Sequence, residues 1–202
     1  MKKNYKYLFK NIGLLTIGQF STKILSFFLV PLYTSVLTTA EYGTYDLFNN
    51  TISLLVPILT MNISLGVMRF CLEKDSDKKN IFSSALSVYI KGFLIFLMLI
   101  LINLKFEIFD IINKYVIFFI LTYIFASIYE LLYNFARGVD KVSVMSIGGI
   151  LGTAVSLTLN VLFLVVLHTG LKGYFLAHII GLMVSSGFIA FKTKIWKFIK
   201  LK

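Results

Sequence analysis

Apolar residues fall along this chain in six long blocks, at about 11–37, 44–68, 82–102, 115–136, 142–167 and 173–191, parted by short polar connections. A bilayer core about 30 Å thick takes about 20 residues of helix, and every block is close to that length or longer. None alternates with the period of two that a barrel strand requires, so helices are the spanning elements the pattern predicts. No internal repeat and no low-complexity linker divides the chain. The expected fold is therefore all-α: a polytopic membrane protein of six transmembrane helices in one domain, with a basic tail over 192–202.

Polar positions inside the blocks are spaced, not scattered. The first block carries Thr16, Gln19, Lys23 and Ser26 at intervals of 3, 4 and 3, which is one helical face. Ser127, Glu130, Asn134 and Arg137 repeat that spacing in the fourth block. Ser146, Gly149, Thr153, Ser156 and Asn160 do so in the fifth, and Tyr174, His178, Gly181 and Ser185 in the sixth. The second is looser, with Asp46, Asn49, Asn50, Ser53, Pro57 and Ser64. Two readings stand side by side. Such faces line a shared wet cavity, or their small residues pack helix on helix, as the Gly148–Gly152 pair suggests.

Lys23 lies near the middle of its block and Lys91 near the middle of the third. An insertion scale charges a central lysine about 2.5–3.5 kcal/mol, which the apolar residues around it offset. With Asp46 and Glu130, the intramembrane charge sums to zero, and a structural Lys91–Glu130 pair is one expectation. Arg69 and Arg137 are expected at the membrane interface, their stems along the apolar surface and their heads in water. His178 reads as a hydrogen-bonded core residue, and Pro31 and Pro57 as kinks.

Charge then orients the helices. Of 20 Lys and Arg, 15 lie in the leader, the second and fourth loops and the tail, whereas Lys105, Lys114 and Lys172 alone lie on the other side. That asymmetry predicts both termini in the cytoplasm. The net charge of +11 is thus a topology signal spread over separate segments, not a nucleic-acid surface. The first block is too long for a signal peptide, Thr38-Thr39-Ala40 is a poor cleavage site, and a retained signal anchor is expected. One cysteine, Cys71, excludes an internal disulfide and any paired-cysteine metal or redox motif. HExxH, GxSxG and paired-aspartate motifs are missing, and Ser186-Gly187 shares a helix with His178 instead of facing it. No enzyme, cofactor or metal is expected.

One pattern is more specific. Leu37-Thr38-Thr39-Ala40-Glu41-Tyr42-Gly43-Thr44-Tyr45 resembles the "L-x-x-x-E-Y-G-x-Y" turn of polysaccharide repeat-unit flippases, in the multidrug/oligosaccharidyl-lipid/polysaccharide exporter superfamily. Ser64–Phe70 with Phe82–Leu86, and Ala136–Gly138 through Met145 to Gly170–Tyr174, are similar to later parts of that family. The resemblance implies a bacterial cytoplasmic-membrane transporter that flips polyprenyl-diphosphate-linked oligosaccharides by alternating access. Such a transporter's cavity is typically cationic, and on charge and depth the expected substrate contacts are Lys23, Lys91, Gln19, Arg69 and Arg137, with Glu130 and Asp46 as charge partners or ion-coupling groups. Family members have two six-helix lobes, so the chain resembles an amino-terminal lobe. It would need a second copy or a companion carboxy-terminal lobe, or it would be a truncated or split half without activity of its own. Two unrelated readings stay open: a six-helix substrate-binding subunit of a vitamin-uptake transporter, and a membrane scaffold.

Overall fold

A computed structural model describes residues 13, 16, 20, 23, 24, 27, 31, 33 and 35–200. The described residues from 13 to 36 are helical, but most of the first predicted helix, Gln19 included, lies outside them. Beyond it run α1 (Thr39–Leu59), α2 (Ile63–Cys71), α3 (Lys78–Phe106), a short α4 (Asp110–Lys114), α5 (Val116–Gly138) and α6 (Val142–Asn160). Helix α6 continues as a π-helix over Val161–Val166, α7 spans Gly170–Thr193, and a 3-10 turn follows at Ile195–Phe198. Among the described residues the protein is all-α. Four helices are long and apolar enough to cross a membrane, and α1 with α2 forms a fifth, broken candidate span.

That break corrects the sequence-based expectation of one helix over 44–68. Helices α1 and α2 meet at 61°. Pro57 removes one ladder donor near the end of α1. Met61 and Asn62 then adopt left-handed backbone, with φ of 53° and 51°, which no right-handed helix can pass through. The amide of Asn62 donates to the Pro57 carbonyl, so the chain turns without leaving that carbonyl bare. Helix α1 starts where the sequence motif begins. Thr38 caps it, its Oγ1 accepting from the Glu41 amide at 3.3 Å, while the Glu41 carboxylate accepts from the Thr38 amide at 2.9 Å.

Two apolar cores stack along the bundle. One gathers Phe48, Ile52 and Val56 of α1 with Phe96 of α3, Phe119 and Tyr123 of α5 and Phe175 of α7. The other gathers Val67 and Cys71 of α2 with Phe82, Ala85 and Tyr89 of α3, Leu131 and Phe135 of α5 and Met145 and Ile189. Many large apolar side chains remain exposed, among them Leu94 (59%) and Leu101 (65%) on α3, as a helix in lipid requires.

Candidate functional site

Helices α6 and α7 pack more extensively than any other pair, and the residues that allow it also shape a cavity. A Cβ on Gly152 would stand 2.7 Å from the Gly181 carbonyl oxygen, and one on Gly181 would stand 2.7 Å from that of Gly152. Only glycine permits that approach. Ser185 Oγ donates to the Gly148 carbonyl at 2.8 Å and locks the pair. Both readings of the striped helices are therefore realised. Gly148 makes helix–helix contact, Gly149 and Thr153 line a cavity of about 380 Å³, and Gly152 and Ser156 do both.

The opposite wall is aromatic. Tyr45 stacks on Tyr174 with ring centroids 3.7 Å apart, and Tyr33 tilts against Tyr174 at 4.2 Å. Tyr45 Oη and His178 Nδ1 share a hydrogen bond of 3.3 Å, so the histidine is the bonded core residue its position suggests. All four residues of the sixth stripe, Tyr174, His178, Gly181 and Ser185, face this space. So do Tyr42 and Tyr45, which gives the tyrosines of the Glu41-Tyr42-Gly43-Thr44-Tyr45 motif a shared place. Nothing in the structure explains Gly43, whose Cβ position is open. Among the described residues the lining has hydroxyls, one imidazole and ring faces but no Lys, Arg, Asp or Glu.

The charged candidates lie elsewhere. On α3 the buried residues Phe82, Ala85, Tyr89, Gly92 and Phe96 define one face. At 100° per residue Lys91 points about 140° away from it. Lys91 is exposed, together with Asn80, Ser84 and Ser87 at intervals of 4, 3 and 4. That polar stripe escapes a sequence reading centred on Lys91 alone, although the serine spacing signals it. Lys23, Arg69, Arg137 and Asp46 are exposed as well. Asp46 accepts from Asn50 Nδ2 at 3.0 Å.

Glu130 is the exception, partly buried and turned inward. Its Oε1 accepts from Ser64 Oγ at 2.6 Å, so its partner is the helix break, not the Lys91 ammonium on the outer face of α3. The expected Lys91–Glu130 pair does not form because the two side chains leave their helices on different sides. The carboxylate sits between the two apolar cores, beside Thr60, Ser64, Tyr89 and Tyr123. Sequence spacing marks Glu130 as inward-facing but cannot reveal Ser64 as its partner, which depends on the bend between α1 and α2.

The family model described as "Polysaccharide biosynthesis protein" matches residues 8–202. Among curated proteins none matches significantly. Among solved structures, the chain is similar to one titled "Outward-facing conformation of a multidrug resistance MATE family transporter of the MOP superfamily", at a TM-score of 0.66 and 17% identity. The similarity covers 96% of this chain and 47% of that one, so this chain spans about half the length of that transporter.

Proposed function

The chain belongs to the polysaccharide biosynthesis protein family, and from that membership we propose that it is one lobe of a lipid-linked oligosaccharide flippase. Its substrate is a polyprenyl-diphosphate-linked repeat unit, moved from the cytoplasmic to the external leaflet of a bacterial cytoplasmic membrane on the way to capsule, O-antigen or exopolysaccharide. The family match along nearly the whole chain carries this reading. The likeness to about half of a longer transporter supports the single-lobe part of it.

Transport proceeds by alternating access between this lobe and a second, supplied by another copy or by a companion chain. Lys23 and Lys91 hold the diphosphate near the membrane midplane, with Gln19 on the Lys23 face and Arg69 and Arg137 at the cytoplasmic mouth. The exposure of both lysines supports these roles. An ammonium that meets a substrate between lobes must not be neutralised inside its own lobe. Asp46, exposed and hydrogen-bonded to Asn50 one turn on, serves as a charge partner near the external end of α1.

Complementation of a flippase-deficient strain, with surface polymer as the readout, tests the proposal. Restoration by the chain, alone or with a companion lobe, is the expected result. A charge-assisted hydrogen bond contributes about 1.5–3 kcal/mol, so Lys23→Ala or Lys91→Ala should cut export by about tenfold or more. Membrane levels should stay normal. Full export by both variants removes the lysines from the mechanism.

A further inference from the structure

From Lys141 to Lys202 the sequence has seven lysines and not one Asp or Glu. The fold collects most of those lysines. Lys141 Nζ donates to the Lys192 carbonyl at 2.9 Å, and Lys194, Lys197 and Lys200 follow in the turn that closes α7. That turn is fastened from its inner side. Ile195 and Phe198 pack against the second apolar core, and Phe198 meets Phe135 edge-on with centroids 5.0 Å apart. What the turn presents outward is therefore fixed as well. Trp196 is 54% exposed and Phe191 67%, with their rings 6.2 Å apart. Lys192, Lys194 and Lys197 are exposed around them, and Lys192 Nζ stands 5.9 Å from the centroid of the Phe188 ring. The acids of this end, Glu73, Asp75, Asp77 and Asp140, belong to two loops, and Asp77 is engaged in capping α3 through the Lys79 and Asn80 amides.

We propose that the turn after α7 is a binding surface for anionic phospholipid, whose phosphate head group rests on Lys192, Lys194 and Lys197 and whose acyl chain lies against Phe191 and Trp196. Depth supports this occupant. Helix α7 is a candidate span that ends at Thr193, so the residues directly after it stand where hydrocarbon gives way to head groups. Charge supports it too, because basic segments beside a span attract anionic lipid, each lysine by about fivefold. The exposed rings separate a lipid from an acidic protein segment. Tryptophan carries an apolar body and one N–H donor, which suits the boundary between acyl chain and head group. An acidic segment would use the lysines and leave Phe191 and Trp196 bare. Because the inward residues already hold the turn, little ordering remains to oppose binding. A head group there would brace the junction of the α5–α6 loop, the end of α7 and the start of α3.

The test reads no transport and so stands apart from the flippase reading. Trp196 is the sole tryptophan of the sequence, which makes it a probe already in place. The purified full chain is reconstituted in bilayers of phosphatidylcholine and phosphatidylglycerol, one or the other carrying brominated acyl chains, and quenching of Trp196 fluorescence is compared. Phosphatidylglycerol should be favoured at Trp196 by more than about fivefold. That preference should fall toward unity in Lys192→Gln/Lys197→Gln, and in the native chain as ionic strength rises. With Trp196→Phe and Leu54→Trp combined, the probe moves to an exposed position on α1, and the two lipids should quench equally. Equal quenching of Trp196 by both lipids overturns the site. So does a preference that survives the double substitution or high salt, or one that is as large at position 54. If the double variant does not fold, the salt series in the native chain decides. Quenching by neither lipid would put the turn away from the bilayer, overturn the proposal and leave an acidic protein segment as the occupant.

Discussion

Gly92 shows how one missing side chain supports the bend in the first broken span. A Cβ there would stand 2.6 Å from the Leu59 carbonyl oxygen and 3.1 Å from its carbon, both backbone atoms that cannot step aside. Helix α3 thus runs against the last turn of α1 at the break. The contact exists only because position 92 carries hydrogen. Gly92→Ala should cost about 1–3 kcal/mol through overpacking, despite the better helix propensity of alanine. Gly187 on α7 is the internal control, because nothing lies within 4 Å of its Cβ position. Gly187→Ala should be neutral or stabilising by up to about 1 kcal/mol. Thermal unfolding of both variants in one detergent checks the pair, and equal behaviour would show that the α1–α3 contact yields freely. Lys91, the adjacent residue, is exposed, so position 92 packs while position 91 points away from the bundle.

At the scale of elements, the end of the chain is itself fastened. After α7, Lys194 takes left-handed backbone at φ 56° and turns the 3-10 segment back toward α3. Phe198 packs edge-on against Phe135 with centroids 5.0 Å apart. Ser83 Oγ donates to the Phe198 carbonyl at 3.3 Å and accepts from the Lys200 amide at 2.9 Å. One hydroxyl therefore closes the clasp. Ser83→Ala removes both bonds, and limited trypsinolysis should cleave after Lys197 and Lys200 several times faster than in the native chain, with the spans intact. An unchanged rate would mean that Phe198 alone holds the segment. How much of this was legible beforehand varies by element. Helices α3, α5, α6 and α7 follow from uninterrupted apolar length, and the α6–α7 contact from small residues at helical spacing. The break after Leu59 was not legible, since Pro57 signals a kink but the left-handed Met61 and Asn62 depend on tertiary packing. Glu130 was legible as an inward residue, whereas Ser64 and Tyr89 reach it only after the break has turned α2. The tyrosine wall was hidden for a related reason, because Tyr42, Tyr45 and Tyr174 come from helices distant in sequence.

At the scale of the molecule, the fold gathers the basic segments that the sequence scatters. The loop between α5 and α6 touches the end of α7 through a bond of 2.9 Å from Lys141 Nζ to the Lys192 carbonyl. The tail reaches the start of α3, where Lys200 Nζ approaches Asn80 Oδ1 at 3.5 Å. Arg69, Lys78, Arg137, Lys192 and Lys200 thus belong to one end of the bundle. Lys105, Lys114 and Lys172 belong to the other, around the ends of α3, α4 and the start of α7. Lys and Arg near short loops are retained on the cytoplasmic side, so the rich end should face inward. Cysteine scanning can decide this, because the native thiol Cys71 is buried. Asp75 and Asp110 are both exposed and stand at opposite ends. In a Cys71→Ser background, Asp110→Cys should react with an impermeant maleimide on intact cells, and Asp75→Cys only after permeabilisation. The reverse pattern would place the basic end outside. Lys23 and Lys91 would then offer their charge along a route entered from the wrong leaflet, and a flippase loading a cytoplasmic lipid-linked sugar could not be built on this lobe.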